Sequence, residues 1–103
     1  MKGSAAPIAE VYIDEHRKLC VRPEPPHDFT HVYRAAMEVH WDRERGCLYS
    51  PAPREWTYIQ WYEQIVAAVL DEYGVQLIVT KCTSFRSLPP EVQHRVQQDI
   101  EQA

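Results

Sequence analysis

The side chains able to do chemistry are few: three cysteines, five histidines, and two groupings that mix charge with aromatic rings. Zinc needs three or four Cys, His or acidic ligands in tight clusters. Here His27 and His31 are four residues apart, and His40 and Cys47 stand on either side of a turn. No Cys-x-x-Cys or His-Glu-x-x-His accompanies them, and Pro26 works against a helix beneath His27. The histidines are therefore expected in solvated loops, and no metal is expected. Cys82 lacks the context of an activated nucleophile and reads as a small, half-buried thiol. The odd, sparse set Cys20, Cys47 and Cys82 points to reduced thiols in a cytoplasm. With three glycines, no Gly-x-Gly-x-x-Gly and no phosphate loop, dinucleotide and nucleoside-triphosphate chemistry is not expected, and no cofactor is assigned.

Two groupings remain. Read as an extended strand, residues 32–41 put Arg34, Glu38 and His40 on one face, which Tyr12, Glu10 and Arg22 of a neighbouring hairpin would extend. Such a face suits a small polar ligand or acid–base work. The preferred alternative is the ordinary wet face of an antiparallel sheet. The second grouping is aromatic: Trp41, Tyr49, Trp56, Tyr58 and Trp61, with Arg54 and Arg43 able to stack on them. Trp and Tyr bury much area while keeping a polar tip, which suits a partner-binding surface. The plainer reading makes the cluster an anchor that fixes a helix to a sheet.

These residues need elements to position them, and the organising stretch is 56–80. Thr57 and Gln60 have capping-box spacing, with Trp56 and Trp61 placed as a hydrophobic staple. Tyr58, Ile59, Tyr62, Ile65, Val66, Val69, Leu70 and Tyr73 recur at steps of three and four, the pattern of one broad apolar face. Gly74 sits where a left-handed residue ends a helix. Residues 75–80 then read as a central strand.

Upstream, 1–7 is expected to be a loose tail and 8–22 a hairpin. A turn centred on His16 sets Ile13 against Leu19 and Val11 against Val21. The same register sets Asp14 against Lys18 and Glu10 against Arg22. Pro23 to Pro26 is a stiff connector, and 28–31 a turn. Residues 32–41 and 47–50 form a second hairpin around Gly46, with Trp41 opposite Cys47 or Leu48. Residues 81–87 read as a polar loop, or as an extension of the preceding strand by a residue or two. Residues 88–103 form a second helix, opened by Pro89 and Pro90, with a thin seam of Leu88, Val92, Val96 and Ile100. The result is a single α+β domain over 1–103. Its order is β-β-β-β-α-β-α, a mostly antiparallel sheet of about five strands with the helices largely on one face.

Hydrophobic residues at 45% and charged residues at 25% predict a globular domain rather than a disordered chain. A net charge of -4 argues against a general nucleic-acid or anionic-membrane binder. No apolar run approaches the ~20 residues of a membrane span. Met1-Lys2-Gly3-Ser4 carries no apolar signal core, which makes a cytoplasmic location the expectation.

The run Trp41-Asp42, Gly46-Cys47-Leu48-Tyr49-Ser50-Pro51, Glu55-Trp56, Trp61-Tyr62 and Glu72-Tyr73-Gly74-Val75 resembles small orphan proteins encoded by integron gene cassettes and related mobile bacterial DNA. The likeness spans about half the chain and implies a bacterial, cytoplasmic, self-associating α+β domain. It supplies no functional residue.

Taken together, the expectation is a non-enzymatic interaction module that self-associates, a dimer being favoured. Its binding residues are Trp41, Tyr49, Arg54, Trp56, Tyr58, Trp61, Arg34, Glu38 and His40, none of them catalytic. The alternatives are an acidic inhibitor or immunity-type protein capping a basic partner, and a small enzyme or ligand binder using the polar face around Glu38 and His40.

Overall fold

A computed structural model describes residues 5–24, 27–52 and 54–102, with side chains described as far as residue 98. The fold is α+β: a six-stranded, mostly antiparallel mixed sheet with two helices. Strands β1 (Ala5–Ile13), β2 (Leu19–Pro23), β3 (His40–Asp42) and β4 (Cys47–Tyr49) precede helix α1 (Tyr58–Tyr73). Strands β5 (Gln76–Ile78) and β6 (Ser84–Arg86) and helix α2 (Pro90–Gln102) follow.

The first hairpin has the register its side chains dictate. Val11 opposes Val21, Ile13 opposes Leu19 and Glu10 opposes Arg22, the last pair joined by a 3.4 Å ion pair. Asp14 and Lys18 meet without an ion pair: the Asp14 N–H donates to the Lys18 carbonyl at 3.0 Å. The Asp14 carboxylate accepts from the Lys18 and His16 N–H groups, while the Lys18 ammonium lies over the Tyr49 ring.

Between Ile8 and Glu10 the register shifts by one residue at Ala9. An extra residue reverses side-chain alternation. Ala6 and Ile8 before it, and Val11 after it, therefore all point into the core. The same irregularity divides β1 between two parallel partners. Residues 5–7 pair with β5, and residues 10–12 pair with β6.

Helix α1 keeps its sequence signals. Thr57 accepts from the Gln60 N–H, Gln60 accepts from the Thr57 N–H, and Gly74 closes the helix at φ 67°. The Trp56 and Trp61 rings meet at 4.6 Å. We predict that Thr57→Ala costs about 1 kcal/mol, read as a lower urea midpoint at constant m-value. The helix packs on β2 and β5, and α2 lies against α1. Val92 and Val96 fill that second contact, whereas Ile100 lies outside the described side chains.

Four expectations change. Residues 32–41 are not one strand: Val32–Arg34 is a 3-10 turn, and β3 begins only at His40. The buried positions are Val32, Ala36 and Val39, spaced four and three, while Tyr33 and Met37 are exposed. The segment thus follows a helical period, and the apparent alternation through Tyr33 and Met37 is a coincidence of composition. The strand after α1 ends the sheet path β3-β4-β2-β1-β5 rather than occupying its centre. The loop 81–87 contains a sixth strand, because backbone pairing to β1 offsets polar side chains. Of the expected N-terminal tail, Ala5 to Pro7 belong to β1, and Met1 to Ser4 lie outside the described residues, as do Pro25 and Pro26 of the connector. In the second hairpin, Trp41 opposes Leu48 and Asp42 opposes Cys47, with Gly46 at φ 64°.

Candidate functional site

Two places concentrate chemistry, on opposite sides of the sheet. The first is a groove of about 590 Å³ at the entrance to α1. The hydrophobic staple builds one wall from Trp56 and Trp61. The turn between the 3-10 segment and β3 supplies Met37 and Glu38, and the approach to the helix supplies Arg54 and Glu55. Met37 is 83% exposed and Trp56 40%. Trp61 is only 8% exposed, and its Nε1–H is buried without a hydrogen-bond partner among the described residues. Arg54, Glu38 and Glu55 make no ion pair among the described residues.

The second place is the sheet face turned away from the helices. Alternation on β1, β2 and β4 sends Tyr12, Cys20 and Cys47 to that side, where they form a separate buried cluster roofed by Tyr49. The Tyr12 hydroxyl lies 3.7 Å from Cys47 Sγ. Asp14 Oδ2 and the Lys18 carbonyl are acceptors for the Cys20 thiol at 3.8 and 3.7 Å. Arg45 is clamped between Asp42 at 2.8 Å and Asp14 at 3.3 Å. Arg86 lies 4.2 Å above the Tyr12 ring and pairs with Glu10.

These contacts set the protonation pattern. A hydrogen bond with Cys20 holds the Cys47 thiol below the ordinary thiol range against the cost of burial, with help from the Tyr12 hydroxyl and the Arg45 cation. The same bond, with burial, pushes the Cys20 thiol up. Burial, then the bond to Cys47, pushes the Tyr12 phenol up. Burial raises Asp14, but the Lys18 and His16 N–H groups and Arg45 outweigh it and keep the carboxyl below the usual range. Of the two buried thiols, Cys47 is thereby the easier to ionise and Cys20 the harder.

The residues singled out from the sequence divide between these places and others. Trp56, Trp61, Arg54 and Glu38 meet in the groove. Trp41 turns away to pack edge-on against Phe29 at 5.5 Å. Tyr58 donates to the Arg17 carbonyl at 3.0 Å. Tyr49 lies on the outer sheet face, 5.6 Å from His40. The aromatic set is therefore not one cluster. Nor do Arg34, Glu38 and His40 share a face, since no strand runs between them. Arg34 pairs with Glu72 at 3.7 Å and Glu38 lines the groove, while His40 stands beside Tyr49. Tyr12, Glu10 and Arg22 do share the outer face. Cys82 is exposed rather than half-buried, and all three cysteines are free thiols. His27 stacks on Phe29, and no group of three metal-binding side chains exists among the described residues. No helix among the described residues is long and apolar enough to cross a membrane.

Sequence reasoning missed Cys20 and Cys47 as a pair. The available signal was the first hairpin, which already placed Cys20 beside Tyr12. The missing step was the pairing of β2 with β4, a contact between distant segments.

Residues 6–83 match the family model described as Integron Cassette Protein Hfx_Cass5. A solved structure of the integron cassette protein Hfx_Cass5, from the mobile metagenome of North West Arm Sewage Outfall, is 37% identical. The match covers 89% of this chain and 91% of that chain, with a TM-score of 0.42. The superposition is loose, so the kinship rests on sequence. No curated protein matches. With the family model spanning three quarters of its length, the chain belongs to the Hfx_Cass5 family of integron cassette proteins.

Proposed function

We propose that the protein is a non-enzymatic interaction module that self-associates through the tryptophan groove. One observation carries this reading. The groove rim presents exposed Met37 and Trp56 together with charges of both signs that have no ion pair among the described residues, Arg54 against Glu38 and Glu55. A two-fold dimer brings a patch onto itself, so it needs a surface that is its own complement. Here Arg54 of each copy can meet a carboxylate of the other, and each Met37 can enter the opposite groove. An incoming acceptor also answers the Trp61 Nε1–H, whose unpaired burial costs about 1–3 kcal/mol.

Size-exclusion chromatography with light scattering tests the proposal. We expect a species of twice 12.1 kDa at tens of micromolar. Met37→Asp should convert it to monomer with the far-UV spectrum intact, because Met37 is exposed in the single chain. A wild-type monomer at high concentration, or a dimer indifferent to Met37→Asp and Trp56→Ala, would count decisively against it.

A further inference from the structure

A single chain already carries a full set of recognition groups in the tryptophan groove. Two carboxylates, Glu38 and Glu55, and one guanidinium, Arg54, line it. None of the three has an ion pair among the described residues, although Arg54 shares the groove with both acids. The other arginines of the described residues, Arg17 excepted, all pair with carboxylates. The groove therefore keeps two negative charges and one positive charge available beside the indoles.

Each group narrows the ligand. Trp56 is half-exposed, and the electron-rich face of an indole attracts a cation. Its ring touches that of Trp61 at 4.6 Å, so a cation rests against the exposed part of Trp56 and not between the rings. A guanidinium suits this place better than an ammonium, because its plane stacks on a ring while its N–H fork meets carboxylates. The opposite pole is a carboxylate. Arg54 holds one as a fork. Trp61, almost wholly buried, has an Nε1–H without an acceptor among the described residues, and a ligand oxygen supplies one. That nitrogen is closed off from water, so the oxygen reaches it as the partly exposed Trp56 ring turns. The complement of the groove thus carries two positive charges and one negative charge. A volume of about 590 Å³ is that of a small-ligand site.

We infer that the groove binds a free basic α-amino acid of the arginine type. The guanidinium stacks on Trp56, and Glu38 and Glu55 share the guanidinium and the α-ammonium. The α-carboxylate accepts from Arg54 and from Trp61 Nε1–H. Met37, an adaptable thioether, covers the aliphatic stem. The site is complete in one chain and does not require self-association. It occupies the same groove, so the amino acid and a second copy exclude each other.

Tryptophan fluorescence of the full chain at about 1 µM, below the tens of micromolar at which the dimer is expected, reads the site in a single chain. L-arginine should shift the emission and saturate at or below ~1 mM. Citrulline keeps the shape with a neutral urea, and agmatine lacks the carboxylate; each should bind at least ~10-fold more weakly. Trp56→Phe should lose most of the shift, and Trp41→Phe should keep it. Arg54→Ala should remove the preference over agmatine, and Glu38→Gln with Glu55→Gln the preference over citrulline. All three side chains are exposed, so these variants keep the fold. No shift by ~10 mM L-arginine, an equal response to the three probes, a shift that follows Trp41, or preferences that survive these substitutions overturns the inference. Light scattering keeps the two readings apart. A monomer that binds L-arginine overturns self-association alone, and a dimer whose dissociated chains ignore L-arginine overturns the amino-acid site alone.

Discussion

Ile65→Ala is expected to lower the unfolding free energy by about 2–5 kcal/mol, while Leu70→Ala should change it by less than ~1 kcal/mol. Both residues belong to the apolar face of α1 by spacing, and sequence alone treats them alike. In the fold, Ile65 is completely enclosed in the cluster that includes Ile8, Val21, Leu48 and Leu77, and Leu70 is 45% exposed. Truncating Ile65 removes apolar contacts and leaves a void that the sheet cannot close. Truncating Leu70 removes atoms that already meet water. Urea denaturation of both variants checks the contrast. Equal losses would mean that α1 is rotated about its axis relative to the sheet, and the groove wall built on Trp61 would move with it.

Thr83→Val is expected to cost about 2–4 kcal/mol, with Thr83→Ser close to neutral. The Thr83 hydroxyl donates to the Ile8 carbonyl at 2.6 Å and accepts from the Thr80 N–H at 2.9 Å. Thr83 is buried, so losing the hydroxyl leaves the enclosed Ile8 carbonyl and the half-buried Thr80 N–H without this partner, at about 1–3 kcal/mol each. Valine keeps the shape, which isolates the hydrogen bonds from packing. The position matters because Ile8 stands where the register of β1 slips and its partner changes from β5 to β6. Amide exchange should show Thr80 and the β6 amides losing protection first. Uniform loss across the sheet, or none, would contradict this role of Thr83.

The contrast between the two hairpins shows where legibility ended. The first was readable because apolar and charged pairs agreed on one register across a short loop. The segment 32–41 was misread because its core contacts, Val32, Ala36 and Val39, are with α1 and the sheet rather than with a strand neighbour. The outer face was partly legible, since Glu10, Tyr12 and Arg22 do share it. Arg34 and Glu38 left that face once their strand did not exist.

By itself the sequence determined everything that local chemistry decides. That covers the capped helix 58–73 with its glycine stop, the first hairpin and its register, the chain reversal at Gly46 and the proline-led second helix. Each rests on contacts within a few residues, where side-chain type and spacing suffice. Tertiary structure alone decided the parallel pairing of β5 and β6 to one strand on either side of an irregularity. It alone divided the aromatic residues between groove, core and outer face, and it alone brought Cys47 to Cys20. The physical reason is common to all three. Pairing distant segments is chosen by the summed burial and hydrogen bonding of the whole domain, and no short stretch of residues carries that sum.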